Sequence, residues 1–282
     1  MRDKEKFLAI SYASSKLRKS CCFLLCAVLK YFRYKSLVYT IVKVSFIMEN
    51  KQKTIGIIGG MGPMATADLF TKLIQMTDAA CDAEHIHILI DNNPKTPDRT
   101  GAILRGTESP LPYLIQSANR LRTAGADFLL IPCITSHYFM QELTEQIEIP
   151  IMSMIEETAK QLQSSNIKKV VVLATDGTCQ ARVFDRVFAK YDIEICYPCA
   201  KAQSALMDVI YKGVKAGSPT WDMTDLNAEI NRLLAAGAEA VVLGCTELPL
   251  AAKMYGMNGM LIDPTDILAR AAIVYAGYKP KH

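Results

Sequence analysis

Residues 125–137 read GADFLLIPCITSH and residues 237–249 read GAEAVVLGCTELP. In each, a Gly-Ala-acidic triplet leads into an apolar run of strand length that stops at a cysteine, Cys133 or Cys245, eight residues after the glycine. A threonine follows within two residues, Thr135 in one stretch and Thr246 in the other. An unbroken apolar run is the mark of a strand buried on both faces. A thiol at the carboxyl end of such a strand sits where open α/β sheets bind ligands. A motif that recurs 112 residues later predicts two related halves, each presenting one sulfur. If the halves face each other, the thiols flank one cleft.

Outward from these stretches the pattern continues. From Thr54 onward, short runs rich in Ile, Val and Leu alternate with stretches whose apolar residues recur at helical spacing, as Leu69, Leu73 and Met76 do. The first half offers strands at 54–60, 85–93, 126–133 and 149–154; the second offers them at 168–178, 193–198, 238–245 and 259–264. Gly125 closes the helix before one cysteine strand, and Thr265 is the candidate N-cap of the last helix. The fold class is α/β: two three-layer α/β domains related by a pseudo-twofold, with mainly parallel sheets and the active site in the cleft between them. The boundaries are 48–152 for the first domain, completed by a C-terminal helix at about 264–278, and 153–263 for the second.

The net charge of +4 over 282 residues conceals two populations. Residues 1–47 carry ten Lys or Arg against two Asp or Glu, and the remainder is mildly acidic. The body of the chain therefore has no basic surface for nucleic acid. The run CCFLLCAVL at 21–29 is shorter than the roughly 20 residues that span a bilayer. With its basic flanks it has the composition of a membrane-surface anchor. Against that, Met48 opens MENKQKTIGIIGG, a natural start for a soluble α/β chain, with no membrane contact for the body. Residues 1–47 are expected to be a poorly ordered extension or the product of an upstream start codon. Nine cysteines at irregular spacing make no disulfide framework, so reduced thiols and a cytoplasmic location are expected. Cys196 and Cys199 form C-x-x-C with no second C-x-x-C to complete a zinc site.

Alone, either Cys133 or Cys245 reads as a small buried apolar residue. Together, each between a strand and a helix whose N–H groups stabilise a thiolate or bind a carboxylate, they read as functional. Inverting a carbon centre without a cofactor needs a base on one face and an acid on the other. A thiol serves as either, because its pKa is readily tuned. His137, four residues after Cys133, reads as a helix-surface side chain, with tuning of the thiol as the sharper alternative. GMGPMA at 60–65 fits a dinucleotide fingerprint, but Asp91 lies 31 residues after Gly60 where about 20 is usual. Pro63 also removes an N–H donor from that loop, and NAD binding is the distant reading.

The motifs GIIGGMGPMAT, PDRTGAIL, PCITSH, YKGVKAG and GCTELP, in that order, resemble the aspartate/glutamate racemase family of cofactor-independent amino-acid racemases, nearest its aspartate racemase branch. The resemblance covers roughly Lys53 to Tyr278. It implies that Cys133 and Cys245 are an acid/base pair exchanging roles with direction, and that Arg99 and Lys215 grip the side-chain carboxylate of aspartate or glutamate. It implies that Thr135 and Thr246 bind the α-amino or α-carboxylate group. Met61 and Gly62 match the first cleft-lining turn, and Thr175 and Thr178 the equivalent turn of the second half. No PLP, metal or nucleotide is implied, and the assembly implied is a homodimer. The family usually has Asn after the first cysteine, where this chain has Ile134. One lost hydrogen bond to a charged group is worth roughly 1.5–3 kcal/mol. That departure leaves open a maleate-isomerase-like or decarboxylase-like activity, or a catalytically impaired amino-acid-binding protein.

Overall fold

The computed structural model describes residues 52–281; the readings made for residues 1–47 lie outside the described residues. Two parallel sheets carry the chain. In the first, β1 (Ile55–Gly59) lies between β2 (Ile88–Asn92) and β3 (Phe128–Leu130). In the second, the order is β5 (Glu194–Cys196), β4 (Lys169–Ala174), β6 (Ala240–Gly244) and β7 (Leu261–Ile262). The expected strand at 149–154 is reduced to a parallel bridge between Leu129 and Ile151.

The paired Gly-Ala-acidic triplets do the same work in both sheets. Gly125 (φ +104°) and Gly237 (φ +96°) take the left-handed conformation that closes a helix. The helices they close are Leu111–Thr123 and Thr224–Ala235. Two residues on, Asp127 accepts the backbone N–H of Thr54 at the head of β1 (2.7 Å). Glu239 likewise accepts those of Lys168 and Lys169 at the head of β4 (2.8 and 3.0 Å). Each acidic side chain thus satisfies strand-end donors that would otherwise lack a partner.

Strand alternation divides the core. Ile55 and Ile57 of β1, and Val170, Val172 and Ala174 of β4, join one apolar cluster that draws on both sheets. That cluster is filled by three helices: α1 (Pro63–Met76) through Leu69 and Leu73, Met154–Ser164 through Ile155 and Leu162, and the C-terminal Pro264–Tyr275 through Leu268 and Ile273. Ile58 faces a second cluster outside the first sheet, and Val171 and Leu173 a third outside the second. The last helix is tied to α1 by Lys72, whose ammonium meets Asp68, Asp263 and Asp266 at 2.7, 2.5 and 3.0 Å. Its N-cap is Asp263, which accepts from the Thr265 N–H, and not Thr265 itself. Pro264 takes the first helical position, where its missing N–H costs nothing, and the cap therefore falls two residues earlier than Thr265.

Candidate active site

Both cysteines lie beyond the carboxyl ends of their strands. Cys245 directly follows β6, and Cys133 caps a 3₁₀ turn, Ile134–Phe139, just after β3. Each is buried against the apolar packing outside its own sheet. Both nevertheless open on one cavity of about 20 Å³. That is room for about one water molecule. Its wall also includes Met61, Arg99, Ile134, Thr135, Thr175, Lys215 and Thr246. An outer cleft of about 350 Å³, lined by Gly60, Gly62, Pro63 and Met64, shares Arg99 and Lys215 with it. A wider depression of about 650 Å³ near Tyr138 and Arg182 has neither thiol in its lining, so chemistry and not size singles out the small cavity.

Arg99 is fixed by its place at the start of a helix. Asp98 caps Arg99–Arg105 by accepting the Gly101 N–H, and Gly106 ends it at φ +62°. The guanidinium Nη1 donates to the carbonyls of Thr96 and Pro97 (3.2 and 2.9 Å), and Nη2 donates to that of Met61 (3.2 Å). Nε is buried and has no partner among the described residues. Nε–H and one Nη2–H therefore leave a side-on edge for a planar anion. Burial works to lower the Arg99 pKa, but neighbouring Cys133, Asp98 and Tyr211 outweigh it and raise it.

Lys215 follows a short π-helical segment, Val209–Val214, the kind of distortion that recurs at functional sites. Its ammonium contacts Glu247 Oε1 at 2.7 Å. Burial opposes the charge of Lys215, yet Glu247, Cys245 and Cys133 together hold its pKa above the ordinary value. The other Glu247 oxygen accepts the Cys245 S–H at 3.0 Å. Burial first, then the Glu247 charge, drives the Cys245 thiol pKa well up, with Lys215 opposing in part. The sequence reading passed over Glu247, although an acidic residue two places after a candidate cysteine was visible in GCTELP.

The threonines join the two halves. The hydroxyls of Thr135, Thr175 and Thr178 close a buried ring with all three sides at 3.0 Å. Thr246 donates to the Pro132 carbonyl at 3.1 Å. Thr178 stands behind Thr135 and Thr175 and is absent from the cavity wall, while Gly62 borders the outer cleft alone. A methyl placed on Gly62 would lie 3.2 Å from Glu247 Oε1 and 3.6 Å from Lys215 Nζ, so this turn abuts the ion pair.

His137 is no helix-surface residue. It is buried, with Nδ1 3.1 Å from the Cys133 carbonyl and Nε2 accepting the Met154 N–H at 3.1 Å. Those partners assign the neutral Nδ1–H tautomer. Burial pulls its pKa down to about 4. It holds the backbone of Cys133 and not its sulfur.

Residues 58–272 match the model of the Asp/Glu/hydantoin racemase family. The chain belongs to this family. It is 31% identical to the aspartate racemase of Picrophilus torridus, with a TM-score of 0.69 over 81% of this chain and 96% of that one. It is 25% identical over 230 residues to the broad specificity amino-acid racemase RacX of Bacillus subtilis, covering 80% of this chain and 99% of RacX. The glutamate racemase of Francisella tularensis, solved with D-glutamate, shares the fold at 18% identity and a TM-score of 0.58, covering 79% of this chain and 81% of that one. Among the described residues no helix is long and apolar enough to cross a membrane.

Proposed function

We propose that this racemase-family chain inverts the α-carbon of an acidic amino acid, aspartate or glutamate, with Cys133 and Cys245 as a cofactor-independent acid/base pair. The observation that carries the reading is the shared cavity: two thiols from two different sheets, with a guanidinium and an ammonium in the same wall. One thiolate takes the α-proton, the opposite thiol delivers a proton to the other face, and no electrons are exchanged. The developing carbanion is held where bulk water is excluded and fixed dipoles surround it. Arg99 offers its side-on edge to one substrate carboxylate. Lys215 meets the same side-chain carboxylate once the substrate competes with Glu247. Met61, Gly62, Thr135, Thr175, Thr178 and Thr246 shape the pocket for the amino and α-carboxylate groups.

The test is incubation of each enantiomer of aspartate and glutamate in D₂O with wild type, Cys133→Ala and Cys245→Ala, following α-deuteration and optical inversion. Wild type deuterates and inverts one of the acids. Either variant loses inversion by roughly 10²–10⁴-fold, the usual worth of a positioned acid or base. Each variant retains exchange for the one enantiomer facing the surviving thiol. Inversion that survives loss of either sulfur sinks the mechanism. The two enantiomers are equal in free energy, so any true racemase variant must lose kcat/KM equally in both directions.

A further inference from the structure

The two thiols meet unlike neighbours. Cys133 has the Arg99 guanidinium beside it, whereas Cys245 gives its S–H to the Glu247 carboxylate. Glu247 is itself buried, and both of its oxygens are engaged, one by the Cys245 thiol and one by Lys215. A carboxylate accepts hydrogen bonds and cannot donate them, so this geometry requires the proton to reside on sulfur. We propose that Glu247 is a positioning residue: by accepting the Cys245 S–H and anchoring Lys215, it makes Cys245 the proton donor of the resting pair and leaves Cys133 as the base. This rests on the two-thiol reading above and adds a division of labour that the repeated motif alone does not contain.

The charges around Cys245 are few. Glu247 shares its loop, Tyr211 comes from the π-helical segment and Lys215 directly follows it. Cys133 faces it from the β3 side, and Arg99 and Asp98 from the start of the second helix. Removal of the Glu247 charge leaves the Lys215 cation, which works to lower the Cys245 pKa, without the carboxylate that opposes it. In the forward step the α C–H bond breaks as an S–H bond forms on Cys133, and the Cys245 S–H bond breaks as a C–H bond forms on the opposite face. The product state holds a thiolate at Cys245 against a carboxylate, so the proton returns to Cys245 before the next turnover in that direction.

The test reads thiol protonation and needs no substrate. The rate of carbamidomethylation at Cys245 by iodoacetamide is followed against pH in the full chain, peptide by peptide by mass spectrometry. In Glu247→Gln the Cys245 profile moves to lower pH, giving roughly a tenfold or greater gain in rate at neutral pH for each unit moved. Glu247→Asp, which keeps the charge, stays near wild type. Lys215→Met, which removes the cation, slows Cys245. The exposed Cys81 reacts alike in all four proteins. Racemisation by Glu247→Gln loses its alkaline limb at lower pH than wild type, because the donor is deprotonated earlier. An unchanged or slower Cys245 in Glu247→Gln overturns the assignment of Glu247 alone. A wild type with no α-exchange on any acidic amino acid overturns the racemase reading, and the donor role with it.

Discussion

Replacement of Lys72 by Met tests what locks the last helix onto α1. The ammonium has only 14% of its side chain in solvent and meets three carboxylates, those of Asp68, Asp263 and Asp266. Burial lowers the lysine pKa, but those carboxylates, Asp263 foremost, outweigh it and raise it. Methionine keeps the length and the apolar packing of the stem. What it leaves behind is three acidic groups with no cation. Removing one partner of a buried ion pair costs about 3–5 kcal/mol. Asp266 is 45% exposed and can hydrate, which places the expectation at the low end, about 3 kcal/mol. For a chain of this size that is a fall in Tm of roughly 6–12 °C. Calorimetry on wild type, Lys72→Met and Lys72→Met/Asp263→Asn provides the assay. The double variant recovers part of the loss, since one orphaned charge is gone and the asparagine still caps the helix. In the single variant the buried Asp263 carboxylate, whose pKa burial already raises, loses the Lys72 cation that opposes that rise, so its charge destabilises at neutral pH and the gap to wild type narrows as pH falls. A Tm change of under about 3 °C, or a double variant less stable than the single one, would refute the reasoning.

Other outcomes follow from the same geometry. Ile134→Asn introduces the amide that the family resemblance leads one to expect after Cys133, but Ile134 is 1% exposed and packs into the core shared by both sheets. It should lose about 2–4 kcal/mol in urea unfolding while lowering KM, and an unchanged KM would show that this position does not reach the substrate. Thr178→Val removes one member of the hydroxyl ring and leaves Thr135 and Thr175 with an unmatched partner. A loss of about 1–2 kcal/mol in urea, with KM shifted less than kcat, is expected, and an unaltered kcat argues against the ring as a positioning device. His137, with a folded-state pKa of about 4, is neutral in the native protein while the unfolded chain binds a proton near 6.5. Stability is therefore kept above pH 6.5 and lost as pH falls towards 4, by about 2 kcal/mol between pH 7 and pH 5. His137→Gln should flatten that slope in urea titrations at the two pH values.

The repeat in the sequence carried much of this architecture because its parts are local. A left-handed glycine, an acidic residue at a strand head and a thiol at a strand end each do their work within a few residues or at one sheet neighbour. The helix at Arg99–Arg105 went unread although Asp98 is its cap and Gly106 its stop, because seven residues with only Thr100 and Gly101 buried give too little periodicity to register. The Lys215–Glu247–Cys245 chain was not legible, since it joins residues 32 apart in sequence through the carboxyl-end geometry of β6. His137 deceived for a related reason: its position one turn after Cys133 suggested a solvent-facing stripe, whereas the turn is 3₁₀ and runs inward against the Met154 helix. Short polar contacts between distant loops leave no period to read.

A chamber that can hold little more than a single water cannot admit an amino acid without parting its walls. Across that chamber the two halves meet through hydroxyls, Thr135 with Thr175 and Thr178 and Thr246 with the Pro132 carbonyl, contacts that break and re-form cheaply, while the apolar cluster common to both sheets lies beneath them. For the racemase proposed above, the expected consequence is that opening of these walls limits turnover, so that solvent viscosity slows it even when proton transfer itself is fast.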